Sequence, residues 1–229
     1  MNHYAVLGTG GCARSLMPLA RSQIERRESG APWELVFVDD HVRQPTVNGM
    51  RVMAYAQWLA QPGASRQMNI AVADGQVRAR LAGRCVQDGV TFFDIRADNI
   101  VVMDDVAIGV GAALSPFVTL TSNIRIGKHF QANLYSYVEH DCIIGDYVTF
   151  APGVRCNGNV VVEDFAYIGS GAMLRQGQAD APLVIGRGAV VGMGAVVTRS
   201  VAPGVTVAGN PARELRPSRS VPTKQTTST

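Results

Sequence analysis

Lysine is nearly missing from this chain of 229 residues: among 21 basic residues only Lys128 and Lys224 are not arginine. The arginines are scattered rather than run together, so the basic stripe of a nucleic-acid surface is lacking. The net charge is a small +3. No window of about 18 consecutive apolar residues occurs, which excludes a helix spanning a membrane. The opening Met-Asn-His-Tyr-Ala-Val-Leu-Gly places no basic segment before an apolar stretch. No signal peptide is read there, and a cytoplasmic location is expected. The cysteines Cys12, Cys85, Cys142 and Cys156 form no CxxC pair, and in the expected cytoplasmic compartment no disulfide framework is expected.

What the chain has in quantity is a period. With 47% hydrophobic and 17% charged residues it can build a substantial core. From Val102 to Leu174 an apolar or small residue recurs at every sixth position: Val102, Ile108, Leu114, Leu120 and so on through Ile168 and Leu174. A second series of small or apolar residues follows each by four. A short fixed period marks a stacked repeat, and a six-residue one predicts a parallel β-helix, three units to a triangular coil. Cys142 and Cys156 fall on inward positions of this pattern. The period lapses at the polar stretch Gln176–Pro182, predicting a protruding loop, and resumes at Ile185, Val191 and Val197.

Ahead of the repeat the pattern changes. Residues 3–7 and 34–38 read as strands, 13–28 as a helix, 69–73 as a strand, 76–85 as a helix, and Val90–Asp94 as a strand. Strand and helix in alternation predict a small parallel sheet with helices packed on it. The expected division is 1–97 for this α/β domain, 98–214 for the β-helix and 215–229 for a Ser/Thr/Pro-rich disordered tail. A solenoid needs caps, and the N-terminal domain is expected to serve as one.

Three groups of residues carry chemistry. His140, beside Asp141, is placed at a corner of the repeat. It reads either as a surface histidine at a turn or as a general base whose basicity the neighbouring anion raises. Gly8-Thr9-Gly10-Gly11 joins a strand to a helix, which offers backbone N–H groups to a phosphate or is simply a tight turn. Its partner is Asp39-Asp40 at the end of the second strand, where a carboxylate can take a hydroxyl or a base N–H. His41 follows this pair. His129 is expected on a solvated corner. Two histidines in the coils do not make a three-histidine metal site, so no metal is expected.

The hexapeptide run, with Val190-Val191-Gly192-Met193-Gly194-Ala195-Val196-Val197 and Val207-Ala208-Gly209-Asn210-Pro211-Ala212-Arg213, resembles the left-handed β-helix acyltransferases. The stretch from Asn133 through His140-Asp141-Cys142 to Asp146 is similar to the active-site coil of their nucleotide-sugar N-acetyltransferase branch, the PglD/NeuD-like family. The resemblance covers about residues 3–213. It implies a Rossmann-like sugar-nucleotide domain followed by a left-handed parallel β-helix. It implies acetyl transfer from acetyl-CoA to an amine on a nucleotide-linked sugar, in polysaccharide biosynthesis or a related pathway, by a homotrimer with sites between subunits. His140 would be the general base, Asp141 its support, and Asn133 would orient His140 or the sugar. Acetyl-CoA would meet Thr149, Ser170 and Met193. The substrate would meet Gly10, Gly11, Cys12, Asp39, Asp40 and, more loosely, Ala73. Where the family has histidine, this chain has Cys12 and Thr149. An O-acetyltransferase, another acyl donor, or a silent nucleotide-sugar-binding β-helix are the alternatives.

Overall fold

The structure is a computed structural model describing residues 1–28, 30, 32–41, 44–63 and 65–215. Apart from Leu215, the expected tail lies outside the described residues.

The chain begins with β1 (Asn2–Leu7), α1 (Gly11–Arg27) and β2 (Trp33–Val38). A hairpin follows, β3 (Thr46–Val47) and β4 (Met50–Met53), then α2 (Tyr55–Leu59), β5 (Ser65–Ile70), α3 (Gly75–Gln87) and β6 (Thr91–Phe92). The strands lie in the order β3-β4-β2-β1-β5-β6, all parallel except the β3–β4 hairpin. β1 runs down the middle, and Tyr4, Ala5 and Val6 are buried on both faces, as a central parallel strand requires. α1 buries Ala13, Leu16, Met17, Ala20 and Ile24 along one stripe. α3 is preceded by its N-cap Asp74, whose Oδ1 accepts the Val77 N–H at 2.9 Å, a side-chain cap on the first turn.

From Ile95 the chain coils. Strands of two or three residues stack into three flat parallel faces. Ala113 pairs with Gln131, Gln131 with Thr149 and Thr149 with Tyr167, each a full three-unit coil further on. The inward residues form one continuous core from Leu114 to Val207, in which Phe130 and Phe150 meet edge to face. The chain leaves the pattern between Leu174 and Leu183, and Gln178 and Ala181 close a turn through two backbone hydrogen bonds. Arg213–Glu214 lies antiparallel to Thr206–Ala208 at the far end.

Two expectations are corrected here. The N-terminal sheet does not cap an end of the coil; it lies along its flank. Asn69 Nδ2 donates to Phe93 O and Ala112 O, and Gln131 Nε2 donates to Ile70 O at 2.8 Å. Gly75 abuts Tyr147 and Phe165. The first coil consequently leaves Val101, Val102 and Met103 exposed. His129 is not on a solvated corner either. It is 2% exposed, stacked on Tyr147 at 5.0 Å and edge-on to Phe92. Burial, with Arg78 and Lys128 nearby, holds its imidazole down at about 4, so it stays neutral.

Candidate active site

His140 and Asp141 stand at the corner between strands Tyr137–Val138 and Ile143–Ile144. Asp141 takes a positive φ of 60°, a conformation that short polar residues tolerate. This turns its carboxylate back onto its neighbour. His140 Nδ1 lies 2.7 Å from Asp141 Oδ2, and Asn123 Nδ2 donates to Asp141 Oδ1 at 3.2 Å. A carboxylate only accepts, so the proton of neutral His140 sits on Nδ1 and the lone pair on Nε2. The Asp141 hydrogen bond raises the His140 pKa, and the same bond lowers that of Asp141. The ring is 44% exposed, so Nε2 is open to a substrate.

Gly158, one coil further on, is part of this arrangement and escaped the sequence reading. A Cβ there would lie 2.5 Å from His140 Cε1 and 2.6 Å from Nε2. Cys142 is buried and its thiol faces Asn157 O at 3.2 Å. It points into the core, as its repeat position predicts, and is not offered to a thioester.

Asn133 does not touch His140 in this chain. Its Oδ1 accepts the Leu134 N–H at 2.8 Å. It sits at the opposite end of the face that carries Tyr137–Val138, where a cavity of about 130 Å³ opens between α1 and the coil. Cys12, Ala73, Asn133, Thr149 and Ser170 all line it. Burial pushes the Cys12 thiol up. The Thr149 hydroxyl donates its one proton to Ala73 O at 2.8 Å and accepts from Arg78 Nη2 at 3.1 Å, so that side chain has no donor left for a ligand. Met193 is 81% exposed and stands outside this cavity.

Two further cavities flank Asp39. One of about 490 Å³ is polar, lined by Thr9, Arg14, Asp39, His41 and the β3–β4 hairpin. The other, of about 310 Å³, is largely apolar, between Leu7, Val38, Val72, Val77 and Leu81, with Asp39, Asp40 and Tyr55 at its rim. Gly10 and Gly11 precede Cys12, and beyond their own turn no atom comes within 4 Å of where a Cβ on either would stand, so the space beside them is open to a ligand. Thr9 Oγ1 donates to Asp39 Oδ2 at 2.6 Å, and His41 N–H to Oδ1 at 2.9 Å. Asp40 turns the other way, accepting from Tyr55 N–H and Arg84 Nη1, both at 2.9 Å. Burial alone would raise its pKa, but these two donors outweigh it and leave it lowered. Arg14, in the first turn of α1, went unnoticed in the sequence because nothing marks it apart from other scattered arginines.

Among the described residues no group of His, Cys, Asp or Glu is arranged to hold a metal ion, and no helix is long and apolar enough to cross a membrane.

A parallel β-helix with an exposed His–Asp dyad at a corner and a flanking α/β sheet defines a class, the hexapeptide-repeat acyltransferases. No family model matches the chain. It is 50% identical over 216 residues to the GDP-perosamine N-acetyltransferase of Escherichia coli O157:H7, across 94% of this chain and 97% of that protein. The structure of WeeI from Acinetobacter baumannii AYE superposes with a TM-score of 0.89 at 49% identity, over 94% of this chain and 100% of that one. PerB from Caulobacter crescentus, solved with CoA and GDP-perosamine, gives 0.78 at 25% identity, over 93% and 97%. The chain belongs to the nucleotide-sugar N-acetyltransferases of the hexapeptide-repeat family, and it is an enzyme of acetyl transfer to an amino sugar. Its mostly parallel sheets match the left-handed β-helix of such acyltransferases.

Proposed function

We propose that this chain transfers the acetyl group of acetyl-CoA to the amine of a GDP-linked amino sugar of the perosamine type. The observation that carries the reading is His140, exposed at a corner with Nδ1 held by Asp141 and Nε2 free. A neutral amine attacks the thioester carbonyl while Nε2 takes its proton. The carbon–sulfur bond then breaks, and the imidazolium returns the proton to the departing thiolate. Asp141 keeps the tautomer and stabilises the ring while it is charged.

The remaining residues divide by the chemistry they offer. In this reading the N-terminal sheet is a Rossmann-like sugar-nucleotide domain over residues 1–97, followed by the β-helix of 98–214. The α1 N-terminus at Gly10-Gly11, with Arg14 beside it, suits a diphosphate. The apolar cavity rimmed by Asp39 and Asp40 suits a planar base and its ribose. The sugar then reaches the cavity of Cys12, Ala73 and Asn133. Acetyl-CoA lies along the coil, meeting Ser170 and Met193. Thr149 takes part through the wall it builds rather than through its committed hydroxyl.

The separation of His140 from Asn133 by a whole face argues for assembly between subunits. The histidine serving one chain's acceptor cavity comes from a neighbour, as in a homotrimer whose three chains are equivalent. Such an enzyme works in the cytoplasm, where acetyl-CoA and nucleotide sugars are made, and would supply polysaccharide synthesis.

The test is thiol release from acetyl-CoA by the purified protein with GDP-, UDP- and dTDP-linked 4-amino sugars. Release is expected with the GDP-linked amine. Release with none of the amines, or only with a hydroxyl analogue, overturns the reading.

A further inference from the structure

The most heavily hydrogen-bonded side chain among the described residues is one the catalytic reading does not use. Arg78, in the first turn of α3 and facing the coil, is 0% exposed. Its Nε donates to His129 O at 3.0 Å. Nη1 donates to Val72 O at 2.5 Å and Ala73 O at 3.2 Å. Nη2 donates to Tyr147 O at 2.7 Å, Val148 O at 3.2 Å and Thr149 Oγ1 at 3.1 Å. No carboxylate among the described residues forms an ion pair with it. Burial presses its pKa down to about 10, yet it stays charged at neutral pH.

A buried guanidinium without an anion costs more than an apolar side chain of the same volume. Its presence calls for something the apolar residue could not do, and that is visible in what it grips. Two of its acceptors belong to the turn after β5, where Ala73 forms one wall of the acceptor cavity. The others belong to two successive coils, where Thr149 lines the coil side of the same cavity next to Ala73. The Thr149 hydroxyl closes the ring by donating to Ala73 O.

We propose that Arg78 and Thr149 are positioning residues for the acceptor: their shared hydrogen bonds with Ala73 hold the Ala73 side and the coil side of the Cys12–Ala73–Asn133 cavity at the spacing the sugar needs. The guanidinium's planar fork reaches carbonyls in several directions at once, which a lysine ammonium on a single stem does not reproduce. The inference rests on the reading that this cavity takes the acceptor sugar. It assigns to Thr149 a role in acceptor binding instead of the acetyl-CoA contact that the family resemblance implied.

The experiment is steady-state kinetics of the full-length enzyme with acetyl-CoA and the GDP-linked 4-amino sugar, varying each in turn. Variants are Arg78→Lys, Thr149→Val and Thr149→Ser. Loss of these buried hydrogen bonds in Arg78→Lys and Thr149→Val is expected to raise the acceptor KM about tenfold, with the acetyl-CoA KM within about twofold of the parent. Thr149→Ser keeps the hydroxyl and should restore the acceptor KM. A purely structural role would lower the active fraction and the melting temperature while leaving both KM values alone, and that result overturns the proposal. So does a rise confined to the acetyl-CoA KM in Thr149→Val. Should Arg78→Lys fail to fold, Thr149→Val and Thr149→Ser decide alone. If the parent enzyme acetylates no nucleotide-linked amine, the functional reading fails and takes this inference with it. Parent turnover with unmoved acceptor KM in the variants sinks the inference only.

Discussion

At the scale of single residues, the chemistry turns on the pairing of His140 with Asp141. The hydrogen bond to Asp141 raises the histidine's pKa, and the sign of the consequences follows. Folding favours protonated His140, so its contribution to stability is present below its unfolded pKa and fades as pH rises through the folded one, while that of Asp141, whose pKa the same bond lowers, is lost as pH falls through its own folded pKa. With both side chains near half exposed, that contribution is small. Activity runs the opposite way, because the base works only when neutral. The acid limb of kcat/KM for the acceptor therefore rises as pH passes the His140 pKa. In Asp141→Asn the limb should move to lower pH and the plateau should fall. The acceptor amine titrates identically in both proteins, so the difference between profiles belongs to the dyad. His140→Ala should lose roughly 10²–10⁴ in kcat, the usual weight of a general base, with an unchanged melting curve. Gly158→Ala tests the same ring by crowding it. A Cβ 2.5 Å from Cε1 must push the imidazole off its contact with Asp141. A turnover loss without a fall in melting temperature is expected, and parent-like turnover would show that the ring has slack. The His140–Asp141 adjacency was legible because both lie next to each other in sequence. Gly158 was not, since it meets the ring only through a stacking offset of one coil.

Elements tell a different story about legibility. The six-residue period located the short strands of the coil, because one small apolar residue per unit is what a close-packed triangular core demands. The hairpin β3–β4 and the five-residue α2 were too short for any periodicity to register, although Asn48-Gly49, both at positive φ, is a turn signal of the hairpin kind. His129 was misjudged because its exposure is decided by the sheet that covers it, not by its place in the repeat. The glycine that ends a repeat unit has a physical meaning seen clearly at Gly169. A Cβ there would stand 2.6 Å from Met193 N and 2.7 Å from Gly192 C, backbone of the next coil. Backbone cannot rotate aside as a side chain can. Gly169→Ala should therefore cost about 1–3 kcal/mol, the range for overpacking, measured as a lower denaturation midpoint. An unchanged midpoint would mean that the coils can part locally without penalty.

For the whole molecule the question is where one active site ends. A single chain carries the proposed acceptor cavity at one end of a coil face and the His140 imidazole at the other. In the proposed trimer each serves a sugar together with its counterpart on a neighbour. This makes complementation between dead variants possible. His140→Ala keeps the cavity and lacks the base. A variant with the diphosphate loop blocked, such as Gly11→Asp, keeps the base but no longer holds the acceptor, because a carboxylate there repels the phosphates the loop would hold. Each protein alone should be inactive. In a cyclic trimer formed by co-expressing both in equal amounts, every mixed trimer contains one junction where an intact cavity meets an intact histidine. Random mixing then restores about one quarter of the parent activity. Mixing preformed trimers without subunit exchange should restore none, since the two halves of a working site stay on separate particles. If co-expressed trimers are as inactive as either variant alone, the cavity and the histidine of one chain act together after all, and the imidazole must reach its substrate by a rearrangement of the coil corner.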